Sequence, residues 1–335
     1  ILINSCKMEI AQVLLTLCKF DECQALISDT GRSVAILTGG KHYLVINSLQ
    51  LLAKVLCGQH KYKDAEVVLT RALTTAEDIY GEFHPLVGNI YHSMAEAKRA
   101  RGYYSEAGEK DDIGARICVN SYTPRNAHFA QSIFLRAQLA RDAGKYVEAN
   151  LLFEQALKDM AEAMGSSSYQ FGHMLGAHGE CQSLMGDEVK ASATIQSAMG
   201  IMQKHFGKYS VTKSELMRSF ALLQIRSDDP EKIGQAHTIL RDTVVPMQEK
   251  LLGKLHPSTL FSKALQGLSG IIFHTPRAAS DNSPPDSDSE RYQDLIDDAL
   301  DIFDRVVGLS SEHPWVQLLG GFLDSSELTS GRKLL

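Results

Sequence analysis

Apolar residues recur along this chain at the three- and four-residue spacing that lays one face of a helix against a core. Residues 43–57 place Val45, Leu49, Leu52, Val55 and Leu56 in that pattern, and residues 61–80 do so again with Tyr62, Ala65, Leu69, Ala72, Leu73 and Ile79. Two short helices joined by a tight turn predict a helical hairpin, and the hairpin repeats. Tyr62, Tyr104 and Tyr146 stand 42 residues apart, each followed three positions later by Ala65, Ala107 or Ala149. Nine positions before each tyrosine stand Ala53, Ala95 and Ala137; the same register reaches back to Ala11 and forward to Ala221. Gly102, Gly144 and Gly186 mark the turns inside units, and Gly81, Gly165, Gly207 and Gly253 mark the ends of units. Small residues at fixed points imply helices that cross closely, with the tyrosine filling the wider end.

A helix pair of this size cannot bury its apolar faces alone, so neighbours must stack. The expected fold is therefore all-α: a right-handed α-solenoid with a roughly 42-residue repeat. A single array is expected over 1–335, with units at about 1–38, 39–80, 81–121, 122–164, 165–206, 207–252 and 253–308 and a partial unit at 309–335. A period of 42 falls in the range of HEAT and armadillo repeats, which keeps HEAT-like stacking as an alternative. The order Gly, Tyr, x, x, Ala after a first helix favours the tetratricopeptide arrangement with lengthened helices.

Residues 42–85, with His-Tyr-Leu-Val-Ile-Asn-Ser-Leu-Gln-Leu-Leu-Ala, then Gln-His-Lys-Tyr-Lys-Asp-Ala, then Tyr-Gly-Glu-Phe-His-Pro, resemble a kinesin-light-chain-type tetratricopeptide repeat, whose units end in a Gly-x-x-His-Pro junction. The junction recurs as Gly81 to His84-Pro85, Gly253 to His256-Pro257 and Ser310 to His313-Pro314, with degenerate versions at Gly165 to Ser168 and Gly207 to Ser210. Proline near the first helical position suits a helix start, where its missing N–H would be unpaired anyway. The resemblance weakens after residue 165, where Glu188 replaces the tyrosine and Gly179 the first alanine. No heptads of the kind that would join a motor heavy chain occur.

In arrays of the family this chain resembles, the first helix of each unit faces a concave groove that holds short peptides with acidic residues, often around an aromatic anchor. Aligned on the tyrosine, the inward positions are Asn47, Gln50, Lys54 and Cys57; then Asn89, His92, Glu96 and Arg99; then Gln131, Phe134, Gln138 and Arg141; then His173, Gly176, Glu180 and Ser183. Amides pair with the backbone of an extended peptide and cations with its carboxylates, which gives Lys54, Arg99 and Arg141 a role. In later units the same face turns apolar, with Leu222, Ile225, Phe261, Leu268 and Ile271, as expected of a surface that packs on the final helices as a cap or, alternatively, on a partner.

Two interruptions are expected. One is an insertion of about three residues between helices at Ser227–Pro230. The other is a disordered loop at about 275–290, which is rich in serine, aspartate and proline; Ser283, Ser287 and Ser289 there are candidate phosphorylation sites. Trp315, after a His-Pro junction, is expected to be buried. The chain opens on Ile1 already inside a helical pattern, as a piece of a longer polypeptide would.

Composition narrows the partners. A net charge of −6 argues against nucleic acid and anionic lipid, and no apolar run reaches the roughly 20 residues a membrane span needs. The six cysteines (6, 18, 23, 57, 118, 181) form no zinc-like or disulfide-like spacing, which fits a reducing, cytoplasmic setting. His173, His178, Glu180 and Cys181 cluster, but histidines five apart do not share a helix face, so no metal is expected. Gly39-Gly40-Lys41 lacks the rest of a phosphate loop and reads as a helix cap. The functional expectation is a non-enzymatic adaptor or scaffold that binds protein or peptide partners without a cofactor. Its alternative is the sensory or autoinhibitory repeat region of a larger signalling protein.

Overall fold

The computed structural model describes residues 1–118, 127–227, 229–274, 294–299, 301, 313 and 315–319. They are helical, with no strand among them, and the chain divides into two compact units, Ile1–Gly165 and Ser166–Leu335. The expected 275–290 loop and its three serines lie outside the described residues.

The first unit holds four hairpins: α1 (Leu2–Thr16) with α2 (Phe20–Thr38), α3 (Tyr43–Gly58) with α4 (Tyr62–Tyr80), α5 (Pro85–Ala100) with α6 (Tyr104–Cys118), and α7 (Ala127–Asp142) with α8 (Tyr146–Met164). The second holds α9 (Tyr169–Leu184) with α10 (Glu188–Phe206), α11 (Val211–Ile225) with α12 (Pro230–Ile239) and α13 (Val245–Leu252), and α14 (Pro257–His274). Each hairpin is closed where the register placed small residues. Ala11, Ala53, Ala95, Ala137 and Ala221 on first helices, and Ala65, Ala107, Ala149 and Ala191 on second helices, are all buried. Where the register breaks to Gly179 the crossing is tighter still, since a Cβ there would stand 2.6 Å from Ile195 Cγ1. Between α5 and α6 the approach is backbone to backbone: a Cβ on Gly114 would lie 2.8 Å from the Gly88 carbonyl oxygen.

The unit junctions show how each first helix starts. Gly81 (φ 83°, ψ 161°) and Gly253 (φ 97°, ψ 160°) end the preceding helix in a conformation that only glycine adopts readily. Three residues later a histidine caps the next helix. The Nδ1 of His42, His84, His256 and His313 accepts the N–H of Leu44, Leu86, Ser258 and Trp315 at 3.1–3.3 Å. Ser168 and Ser210 do the same work at the degenerate junctions. The proline is thus only half of the device, and His42 caps α3 without one.

The sixth hairpin corrects the expected insertion. Its turn, residues 226–229, is only one residue longer than the others, and α12 begins in register at Pro230. The surplus lies in the second helix, which runs from 230 to 252 through a π turn at Leu240–Val244. There Val245 N–H bonds back five residues to Leu240 O, just before Pro246, whose ring removes a donor from the helix.

Two glycines of the third hairpin, Gly88 on α5 and Gly108 on α6, separate crossing geometry from helix propensity. Gly88→Ala on α5 should be destabilising by about 1–3 kcal/mol, since its Cβ would meet Cys118 Sγ at 2.4 Å. Gly108→Ala on α6, with open space around it, should stabilise by up to about 1 kcal/mol. Urea unfolding of the two variants measures both signs.

Candidate peptide-binding groove

Within each unit the first helices of successive hairpins approach one another, α1 to α3, α3 to α5 and α5 to α7, then α9 to α11 and α11 to α14; the second helices make no comparable approach. The side lined by first helices is therefore the inner side. In the first unit Asn47 and Lys54 on α3, Glu96 on α5 and Gln131 on α7 are exposed, and Gln50 and Asn89 are half-buried.

Other residues expected here are committed to bracing one hairpin against the next. Arg99 on α5 donates to Asp142 Oδ2 at 3.0 Å, and Arg141 on α7 holds Oδ1 of the same carboxylate at 3.0 Å. Asp142 is the last residue of α7, and its carboxylate is almost wholly buried between the two guanidinium groups. Burial alone would raise its pKa, but the combined pull of Arg141 and Arg99 outweighs this and holds it below the ordinary 3.8. These arginines are thus not the two independent cation sites that their spacing suggested. They form one cluster of net charge +1 shared by two hairpins.

His92 is likewise engaged. Its Nδ1 meets Asp111 Oδ1 on α6 at 2.9 Å, Arg136 of α7 donates to Asp111 Oδ2 at 3.0 Å, and Ser132 Oγ stands 3.4 Å from His92 Nε2. The glycine at 114 leaves the room in which the imidazole reaches α6. Serine, histidine and aspartate stand in the order of a hydrolytic triad, yet Ser132 lies in the middle of α7, where the helix ladder uses the nearby N–H groups. Arg136 also claims the aspartate. The trio is a brace across the junction of α6 and α7.

Two expected groove residues are withdrawn from the accessible set. Phe134 is buried edge-on against Phe153 of α8, at a ring separation of 5.8 Å, and Gln138 is buried beside it on α7. A first helix has one face toward the groove and another toward its own partner helix, and Phe134 of α7 turns toward the partner. Cys57 is half-buried, and its thiol is pushed up to about 12, by burial first and by Glu96 and Glu66 second, so it stays protonated.

In the second unit His173 is exposed, whereas Gly176 is buried and Glu180 accepts from Ser219 Oγ at 2.5 Å. His178 is buried and faces Gln182, which separates it from His173. Among the described residues no three His, Cys, Asp or Glu side chains converge on a common point. Ile225, Phe261, Leu268 and Ile271 are buried and Leu222 is half-buried. Trp315 is half-buried rather than fully buried; it stacks on Phe261 at 4.5 Å and 9°, and the buried Arg218 guanidinium stands 5.3 Å from both ring centroids. Arg218 and its neighbour Glu215 fall in the groove register of α11. A reading confined to Leu222 and Ile225 missed them, although the 42-residue step from His92 through Gly176 leads to Arg218.

Residues 44–109, covering the second hairpin and the start of α6, match the tetratricopeptide repeat family model. No curated protein matches the chain. Among solved structures, NprR in complex with its cognate peptide NprX is similar over 99% of this chain and 85% of its own, at 13% identity and a TM-score of 0.59. Rap protein complexed with competence and sporulation factor is similar over 98% of this chain and 99% of its own, at 12% identity and a TM-score of 0.52. The kinesin light chain TPR-like repeats of Podosopora anserina share 18% identity over 63% of this chain and 99% of theirs, with a TM-score of 0.44. The chain thus has the helical-repeat fold of tetratricopeptide proteins, and residues 44–109 carry the repeat in recognisable sequence.

Asp142→Asn should cost about 3–5 kcal/mol, because it leaves two guanidinium groups facing each other without their carboxylate. A depressed carboxyl contributes stability above its unfolded pKa and loses it as pH falls through the folded value. Acid titration of unfolding free energy should therefore fall more steeply below pH about 4 in the wild type than in the variant.

Proposed function

We propose that the chain is a non-enzymatic adaptor that holds an extended peptide segment along the first-helix face of its first unit. The observation that carries this reading is the row of exposed polar side chains on three successive first helices: Asn47 and Lys54, then Glu96, then Gln131, with Gln50 and Asn89 half-buried among them. An extended strand offers backbone donors and acceptors along its whole length, and amides on repeated helices meet them at repeated intervals. NprR, of the same fold, is seen with its cognate peptide, which supports peptide binding by a chain of this fold.

Acidic segments are the preferred ligand. Lys54 and the net positive Arg99–Asp142–Arg141 cluster offer two points of attraction on adjacent repeats, while Glu96 rejects runs of acid that overlap it. Only Lys54 of the three expected cations is exposed, so selectivity for acid is modest and backbone pairing provides most of the affinity. The setting proposed is reducing and cytoplasmic, supported by six cysteines that form no disulfide with one another.

The triple variant Asn47→Ala, Lys54→Glu, Gln131→Ala changes only exposed groups and should leave the melting temperature within a few degrees of the wild type. Selection from a random decapeptide library on the wild-type chain should return extended, mildly acidic sequences. Their affinity, read by fluorescence anisotropy, should drop at least tenfold in the variant. Selected peptides that bind both proteins equally would move the function off this face.

A further inference from the structure

Three unit junctions share a feature that the groove does not use: the residue two places after the junction glycine is apolar and exposed. Phe83, Tyr209 and Leu255 hold this position at 84%, 70% and 76% exposure. Around these tips the charges invert from the first unit to the second. Three residues before the glycine and one after it, the second hairpin carries Asp78 and Glu82; the corresponding pairs in the second unit are Lys204 and Lys208, then Lys250 and Lys254. All four lysines are exposed, and among the described residues none meets a carboxylate within ion-pair distance.

The fold brings both lysine pairs to one edge of the second unit, where α10 and α13 end and α11 and α14 begin. Two hydrogen bonds tie that edge together. Lys213 Nζ at the start of α11 donates to Gln203 Oε1 near the end of α10 at 2.7 Å, and Gln248 Nε2 near the end of α13 donates to Ser214 Oγ of α11 at 3.2 Å. Tyr209 and Leu255 thus stand on neighbouring hairpins, with the spacing of packed helices between them. Residues 199–214 and 250–270 contain no aspartate or glutamate. The carboxylates that flank these stretches are already engaged or withdrawn. Glu249 is held by Lys263 at 2.8 Å, and Glu215 is half-buried, with burial raising its pKa against the opposing pull of Arg218.

We propose that this edge of the second unit docks on an anionic lipid surface, with Lys204, Lys208, Lys250 and Lys254 at the headgroups and Tyr209 and Leu255 entering the interface between them. Lysines near a negative leaflet are attracted to it, and their long stems let the ammonium reach headgroups while the methylenes stay against apolar surface. A tyrosine suits the same depth, since its ring is apolar and its tip polar. Side chains that protrude as far as Tyr209 and Leu255 need their apolar surroundings from the partner, and a bilayer supplies these anywhere on its surface. Single-stranded nucleic acid would instead stack bases on aromatic faces, and Leu255 has none. The net charge of −6 argues against an anionic partner only as a sum over the whole chain. Attraction between exposed charges fades within about 10 Å in physiological salt, so the local lysines decide. No described helix is long and apolar enough to cross a bilayer, and the contact proposed is peripheral. It is separate from the polar row of the first unit proposed to hold a peptide.

The test is flotation of the full chain with phosphatidylcholine vesicles, with and without phosphatidylserine. The chain should float with the anionic vesicles only, and added salt should release it. Lys208→Glu with Lys254→Glu should weaken partitioning by about tenfold or more. Tyr209→Ser with Leu255→Ser leaves every charge in place and should weaken it several-fold, whereas Phe83→Ser, at the acidic junction, should have no effect. All five sites are exposed, so the melting temperatures should stay together. The groove triple variant should float as the wild type does, which keeps this proposal apart from the peptide reading. Absence of flotation with phosphatidylserine, or equal flotation of the Tyr209 and Leu255 variant, would overturn the proposal. So would tighter binding of a single-stranded oligonucleotide through the same lysines, or a dimer in sedimentation that the lysine variant dissociates.

Discussion

The close crossing of two helices inside each hairpin is the constraint from which the rest follows. Alanine at paired positions brings the backbones together, and glycine takes over where even a methyl group will not fit, as at Gly88, Gly114 and Gly179. Once the two axes are that near, larger side chains are pushed to the flanks, where they meet the next hairpin. Each hairpin is then a thin, two-faced slab that gains its stability by stacking. The inner row of first helices and the groove they line are by-products of that geometry.

Electrostatics in this molecule serves stacking before it serves recognition. Asp142 gathers a guanidinium from each of two adjacent hairpins, and Asp111 gathers the imidazole of one helix and the guanidinium of another. Buried ions of this kind define register more than they add net stability, since an apolar replacement of matched shape is often as stable. Neighbouring hairpins with similar apolar faces could slide past one another by a turn; fixed ion pairs penalise the slip. What remains for a ligand is mostly neutral amide.

The crossing points were legible in the sequence because a methyl-sized gap admits few residue types, so the 42-residue rhythm of alanine and tyrosine survives along the chain. The ends of second helices were legible for a different reason, through glycines held at a positive φ that other residues rarely adopt. Groove membership was not. Phe134 and Gln138 satisfy the spacing of inward positions, but spacing gives an angle around one helix and says nothing of how far that helix is rolled against its partner. Pairing was also hidden: Arg99 and Arg141 lie 42 residues apart and look equivalent, and only folding shows that Asp142 claims both. The additional length of the sixth hairpin was assigned to its turn because Ser227-Asp228-Asp229-Pro230 looks like a loop, yet a helix can absorb extra residues by widening, which leaves no compositional trace.

The glycines that end the second helices, seen at Gly81 and Gly253, have a bearing on kinetics. Their backbone occupies a region that side chains of other residues exclude, and the histidine cap three residues on holds the start of the next helix. Cap and helix stacking together hold the angle between such successive hairpins. Under the proposed function, an array built this way meets much of its ordering cost before a ligand arrives, so a flexible peptide bears most of the entropy lost on association. Differences in affinity among ligands would then reside in how long they stay, with little variation in how fast they arrive.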